Sequence, residues 1–473
     1  MALLRGVLSS GVGRAGVALL LSLVVLSIGV VLTFPPGFGL TRWGDPAVWA
    51  DNPKAVPPVW TNVLGGSAAE HRTLSIGAPV DVRQSGPAEL RTWELPFAQG
   101  TGALPTFLSF TLGRVDYAGR PPSYRLLLVR PDGVEIPLVR DVVRGPRPGE
   151  TGPYVRYADE PYRVLISSDP AVTEEAADAL GAQYGVTIDP ASLRGRPEVA
   201  LFGVPDGAGG YTPLAGDYRF RLAFAFADPG DVLAEAKVVL GGSVYGWAGT
   251  DTQGRDLMEG LLFGLPIALL IGISAAFVST AIGTALGLIS GFKGGRIDLL
   301  IQGAADIINN VPLLPLLIFM VFVLGSQLWL ILLVLVAFSW PGLTITIRSM
   351  VLGLSTGSEV EAARALGAST GRILRKHIFP HTAPFVVTQM IFFVPGAILA
   401  EAGLSFLGLG DPSLPTWGQI LEDGFRTGAV FLGYWWWVLG PGLALVITSV
   451  TFMLLAIALE PVVNPRLRGG DRG

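Results

Sequence analysis

Six stretches of about 20 or more mostly apolar residues run through this 473-residue chain: Ala15–Thr33, Pro266–Ser290, Leu299–Leu324, Leu328–Ile347, Ala383–Leu407 and Tyr434–Leu459. Each is long enough to cross about 30 Å of hydrocarbon as a helix. Inside lipid the backbone polar groups must bond within the protein, which leaves little choice but helices for runs of this kind. The expectation is therefore an all-α polytopic membrane bundle of six transmembrane helices. Composition agrees: half of the residues are hydrophobic and only 15% are charged, against about 25% in soluble proteins. Gly and Pro interrupt several runs, as packed membrane helices tolerate.

The first run follows Arg5 and Arg14 and leads into Phe34-Pro35-Pro36. It is longer than the apolar core of a signal peptide and lacks a small-x-small cleavage site, so it reads as a retained helix. Basic residues then orient the bundle. Arg5 and Arg14, Lys293 and Arg296, the group from Arg348 to Lys376, and Arg466, Arg468 and Arg472 fall on one side when six spans are counted. The short loop after the fifth span carries Asp411, Glu422 and Asp423 against one Arg426. Both termini are expected in the cytosol. A net charge of -4 argues against broad nucleic-acid binding. There is no cysteine, which excludes disulfides and thiolate metal sites. The only histidines are His71, His377 and His381, and none stands beside an acidic residue in a zinc-binding spacing. No metal site and no catalytic constellation is expected.

Between the first two spans lie about 200 residues richer in Pro, Gly and charge, enough for one domain. Tyr124–Arg130, Pro131-Asp132-Gly133 and Val134–Val139 read as a hairpin with its turn. Phe220, Leu222, Phe224 and Phe226 alternate with smaller or polar residues, the period of a half-buried strand. Leu108–Leu112 and Tyr162–Ile166 add strands. A helix is predicted over Glu174–Tyr184, with Thr173 as its N-cap. The organisation is then residues 1–36 as tail and first helix, 37–247 as an inserted, mainly-β, sandwich-like extracytoplasmic domain, and 248–473 as the five-helix core. The insertion could serve as a rigid spacer or lid, dock a binding protein, or hold a ligand of its own.

Residues 361–380, EAARALGASTGRILRKHIFP, are polar and amphipathic between two apolar spans. Ala362, Ala363, Ala365 and Leu366 favour helix, and their small members permit close approach by another protein. Gly367 can redirect the chain between two short helices. Arg372, Arg375 and Lys376 give the second half a charged face; Ile373, Leu374 and Ile378 give it an apolar one. Pro380 suits the first turn of the next span. Taken alone, this is also what a basic helix lying on the membrane surface looks like. The spacing of Glu361, Ala362, Ala363, Gly367 and Pro380, with the ending His377-Ile378-Phe379-Pro380, resembles the EAA loop of ABC importer permeases, in its dipeptide and oligopeptide variant. The resemblance implies a cytosolic coupling loop at 359–380 that seats an ATPase through Glu361, Ala362, Ala363, Arg364, Leu366, Gly367 and Pro380.

Two further segments carry the same resemblance. Gly249, Thr250, Asp251, Gly254, Arg255 and Asp256 match the G-T-D-x-x-G-R-D segment that precedes the second helix in peptide and nickel permeases. Asp251 and Asp256 can cap turns, Gly254 permits a tight bend, and Arg255 can pair with either carboxylate. Ala397–Gly410 with Asp411-Pro412 and Pro415–Gln419 resembles the end of the fifth helix in C-type peptide permeases, and the tail Asn464–Arg468 is also similar. Glu401, a carboxylate within a span, either lies on the translocation path or is hydrogen-bonded within the bundle. No Walker A pattern occurs, so the chain has no nucleotide site of that kind. The resemblance implies a type I permease fold that forms half of a peptide pore. The expected partners are a homologous second permease, two cytosolic ABC ATPases holding ATP and Mg, an extracytoplasmic substrate-binding protein and membrane lipid. No cofactor is expected in this chain. The alternatives are import of nickel or another small solute, or a membrane-anchored ligand sensor.

Overall fold

A computed structural model describes residues 6–35, 37–206 and 209–463; Arg5 and the segment 464–473 with its arginines lie outside the described residues. The chain divides into two compact units, Met1–Val48 with Leu257–Gly473, and Trp49–Asp256. Residues 248–256, read from sequence as the start of the membrane core, thus pack with the inserted unit.

In the membrane unit, α1 is Gly11–Thr33, α2 Leu257–Lys293, α3 Gly295–Asn310, α4 Leu313–Leu324, α5 Leu328–Ser355, α6 Ser358–Ala365, α7 the continuous helical run Thr370–Leu409, α8 Trp417–Arg426 and α9 Trp435–Val463. Five of these are long and apolar enough to cross a membrane; a sixth exists only if α3 and α4 together form one span. The run Leu299–Leu324, read from sequence as one span, is a bent pair of helices. The two helices meet at an 80° bend. Pro312 is the cause, because a residue before proline is pushed out of the helical region, and Val311 sits at φ −76°, ψ 123°. Asn310 closes α3 by donating to the Asp306 carbonyl at 2.7 Å.

Small residues set the packing. Cβ atoms on Gly283, Gly287 and Gly291 of α2 would meet α5 at 2.9 Å (Trp340 O), 2.7 Å (Ile347 Cβ) and 2.8 Å (Arg348 O). The backbones therefore approach as closely as glycine allows. Thr344 of α5 adds a hydrogen bond to the Gly283 carbonyl at 3.1 Å. At the other end of the unit, Gly418 of α8 presses on α7, where a Cβ would lie 2.5 Å from the Ala402 carbonyl. Trp417 is buried against α2, its indole donating to the Leu261 carbonyl at 2.9 Å. Thr416 caps α8 by accepting from the Gln419 amide.

The second unit is a sandwich of antiparallel sheets. The larger runs Asp81–Ser85, Ala88–Gln99, Gly216–Phe226, Ser123–Val129, Glu135–Val142; the next runs Arg72–Ser75, Ala236–Leu240, Leu108–Leu112, Tyr162–Leu165. Phe220, Leu222, Phe224 and Phe226 all face one core, with Trp93, Leu95 and Phe97 from one neighbouring strand and Tyr124, Leu126 and Leu128 from the other. Each buried ring or branched side chain contributes about 1.5–3 kcal/mol, so the alternation seen in the sequence pins the register. The Pro131-Asp132-Gly133 turn is anchored as well as tight. Gly133 takes φ +84°, and Asp132 bonds the buried Arg130 at 2.9 Å and the Tyr184 hydroxyl at 2.6 Å. Tyr184 ends the unit's main helix, which spans Pro170–Tyr184 and is capped by Asp169 through the Ala171 amide at 2.9 Å. Thr173 is not the N-cap: Asp169-Pro170 supplies both a capping carboxylate and a preset φ one turn earlier.

The segment 249–256 works as a zipper between the chain entering this unit and the chain leaving it. Ala55 N–H donates to the Asp251 carbonyl at 2.7 Å and Thr250 N–H to the Val56 carbonyl at 2.9 Å. The buried Thr250 hydroxyl donates to the Pro53 carbonyl at 2.8 Å and accepts from the Val56 amide at 3.1 Å. Asn52 donates to the Gly254 carbonyl at 3.0 Å. The same entering strap carries Asp51, which holds Arg163 at 2.7 Å and Lys237 at 2.9 Å.

These bonds make a prediction. A fragment of residues 49–256 should fold alone, with β-type circular dichroism and a cooperative melt that is unchanged by reductant. A fragment of residues 57–248 lacks both halves of the zipper and should melt several degrees lower, since each lost buried hydrogen bond costs about 1 kcal/mol. Equal melting temperatures would show the zipper to be dispensable.

Candidate functional site

The loop that leaves α5 is built as two helices around one glycine. α6 begins after Gly357, with Glu359 and Glu361 in its first turn, where the helix dipole favours carboxylates. It ends at Ala365. Gly367 then takes φ +76°, its N–H donates to the Arg364 carbonyl at 2.9 Å, and the Ala368 N–H donates to the Ala363 carbonyl at 3.0 Å. This bond pair is the Schellman closure of a helix, which needs a left-handed residue at the position of Gly367. The chain reverses there and enters α7.

The two alanines of the motif have opposite fates. Ala363 is 7% exposed and packs with Val360, Ile373, Ile378, Ile347 and Val351. Glu361 and Ala362 face solvent with Arg364 and Ala365. Leu366 stands at the tip, 88% exposed. Arg364 lies over the Phe292 ring at 5.0 Å, which ties the exposed face back to the end of α2. The charged and apolar faces expected for 372–378 are present: Arg372, Arg375 and Lys376 are exposed, and Ile373 and Ile378 are buried. Pro380 stands in the first turn of the α-helical stretch Phe379–Leu404, as expected, and this stretch follows a π-turn over Leu374–Ile378 within α7. The widened turn lets the missing proline N–H join the run without a break.

A contact that sequence reading missed holds the loop together. Glu359 reaches His377 Nδ1 at 2.7 Å and His381 Nε2 at 3.5 Å. The residues are far apart in sequence and no spacing rule singles them out. The one available signal was that the histidines stand four apart, on one face of a helix. The two imidazoles hold the Glu359 carboxyl below its ordinary value, His377 having the larger effect.

The other motif residues serve the zipper and the α7–α8 hairpin. Asp251 is fully buried, accepts from the Gln253 and Arg255 amides at 2.8 and 2.9 Å and pairs with the Arg255 guanidinium. Asp256 also closes the segment through a backbone bridge to Thr250. Gly249 and Gly254 take φ +76° and +83°. A Cβ on Gly254 would also lie 3.0 Å from the Trp49 carbonyl. Glu401 is 2% exposed and accepts from the Ser405 hydroxyl at 2.7 Å.

The pH dependence of the Glu359 contact has a definite sign. A carboxylate whose folded pKa is depressed stabilises the fold above its unfolded value of 4.5 and loses that contribution as pH falls through the folded pKa. Glu359→Gln should therefore speed hydrogen exchange of the α6 amides above pH 4.5, and the difference from the native chain should vanish on further acidification. Identical exchange in both proteins across the range would show that the contact does not hold the loop.

Comparison with known proteins places this arrangement in a family. The model described as "Binding-protein-dependent transport system inner membrane component" matches residues 283–469. The dipeptide transport system permease protein DppC of Bacillus subtilis is 33% identical over 264 residues, 54% of this chain and 82% of that protein. The oligopeptide transport system permease protein OppC of Haemophilus influenzae is 36% identical over 225 residues, 47% of this chain and 71% of that protein. Among solved structures, an inward-facing MetNI methionine ABC transporter is 21% identical and covers 44% of this chain and 98% of that one, at a TM-score of 0.38. The chain belongs to the family of ABC importer permease subunits that includes DppC and OppC.

Proposed function

We propose that this chain is half of the translocation pore of an ATP-driven importer of dipeptides or oligopeptides, coupled to a cytosolic ATPase through α6 and the start of α7. The observation that carries the coupling is the split of the loop into an anchored face and an offered one. Val360 and Ala363 root it in the ends of α2 and α5, while Glu361, Ala362, Leu366 and Gly367 form an exposed ridge ending in a bare leucine. A large apolar side chain held out on a rigid tip suits insertion into a partner's cleft. Arg364 steadies the ridge from Phe292, and Pro380 continues the lever into α7. ATP and Mg belong to the ATPases, and a homologous permease supplies the other half of the pore. A substrate-binding protein delivers peptide from outside.

Six crossings follow if α3 and α4 cross once as a pair. Both termini then lie on the cytosolic side of the inner membrane, a reading that the distribution of basic residues supports. Glu401, buried and bonded to Ser405, reaches a translocation path only if α7 and α8 part. The separation of the two β layers by one packed core supports a rigid outer domain; its placement outside follows from the same orientation.

Co-purification with the cognate ATPases tests the coupling. Leu366→Glu and Glu361→Lys should each lower ATPase recovery at least about tenfold, the scale of a lost interface anchor. Gly367→Val should do the same by breaking the left-handed closure. Membrane insertion should remain intact in all three, and normal ATPase recovery would reduce the loop to a surface helix. Single cysteines, introduced into a chain that has none, test the orientation. Thr370→Cys should react only from the cytosolic side, and Ser123→Cys and Asp217→Cys only from outside; labelling of Thr370→Cys from outside would overturn it.

A further inference from the structure

The outward face of the five-stranded sheet is charge-balanced in one half only. In the first half of Gly216–Phe226, Arg219 and Arg221 each lie 3.3 Å from Glu94, and Arg221 lies 2.7 Å from Glu135. Farther along the strand the outward residues shrink to Ala223 and Ala225. They floor a trough of about 540 Å³ with walls from Leu90, Arg125, Arg140 and Val142. Arg125 and Arg140 stand directly opposite each other on adjacent strands, and both are exposed. Like charges in that position destabilise a strand pair. Among the described residues no carboxylate forms an ion pair with either of them. Asp141, next to Arg140 in the chain, accepts from the Tyr162 hydroxyl at 3.4 Å instead.

We propose that this half of the sheet is a docking surface for an acidic segment of a soluble protein, with carboxylates over Arg125 and Arg140 and a small apolar side chain in the Ala223–Ala225 trough. Two guanidiniums side by side present their donors as forks that match carboxylates. An anionic bilayer suits the face poorly. Asp81, Glu94 and Glu135 share it, and a flat sheet of headgroups would meet their charge as well as that of the arginines. A protein segment can place its carboxylates selectively.

The test uses the full chain in nanodiscs of neutral phosphatidylcholine and a fluorescent peptide of alternating glutamate and valine, with the glutamine peptide as control. Anisotropy should report binding of the glutamate peptide alone, weakening as salt rises. R125E/R140E should lower that affinity at least tenfold, whereas R194E/R196E, which changes net charge equally at two exposed arginines elsewhere, should leave it unchanged. R140Q removes the repulsion between the two arginines, so it should melt no lower than the native chain and still lose affinity several-fold. Equal losses in the two double variants, retained binding in R125E/R140E, or no binding of the glutamate peptide would overturn the proposal. So would preferential capture of phosphatidylglycerol vesicles by the native chain over R125E/R140E, which would assign the face to lipid. ATPase capture at the coupling loop is a separate measurement, so either result can fail alone.

Discussion

The close approach of α2 and α5 is the contact on which the membrane unit depends. Lipid offers no hydrophobic drive for one helix to find another, so association rests on packing and on bonds between the helices. Gly283, Gly287 and Gly291 supply the packing, and the Thr344 hydroxyl supplies a bond. Ile347 and Val351, the side chains lying over two of those glycines, also form the floor under Val360 and Ala363. The loop around Gly367 is thus seated on the same residues that lock the two long helices. A push on its exposed ridge meets a packed joint instead of a flexible linker.

The loop also shows why a short motif is only partly readable. Its capping glycine, its helical alanines and its amphipathic second half follow from residue chemistry, and the structure has each of them. That Ala362 faces out while Ala363 faces in depends on where α5 delivers the chain, which no local pattern encodes. The Glu359–His377–His381 contact depends on the reversal at Gly367 bringing two helices side by side. Pro380 reads as a helix start by propensity, and it stands in the first turn of the α-helical stretch Phe379–Leu404; the π-turn that joins this stretch to the segment before it has no local signature.

Elsewhere, legibility tracked the range of the interactions. The strand of Phe220–Phe226 and the hairpin at Asp132 were visible because alternation and turn chemistry are local. The apolar runs were visible, but the 80° bend was not, because Pro312 sits within a run whose apolar character continues on both sides. Asp169 and Thr173 are both acceptable caps by residue type, and packing of Val172 and Thr173 into the core selects the earlier one. The zipper was invisible because it joins Ala55 to Asp251 and Val56 to Thr250 across nearly the whole inserted unit.

That zipper has a mechanical consequence. Its two strands run in opposite directions and leave the domain at one point, so the bonds between them lie across any pull that separates the chain ends. Such a pull loads the bonds one at a time, starting with that of Asn52 to Gly254 and going on to those of Ala55 and Val56, and they yield in sequence at low force. A pull on the domain as a whole tensions both strands along their length and leaves the crosswise bonds nearly unloaded. The zipper therefore resists tension along its strands yet peels easily from its base.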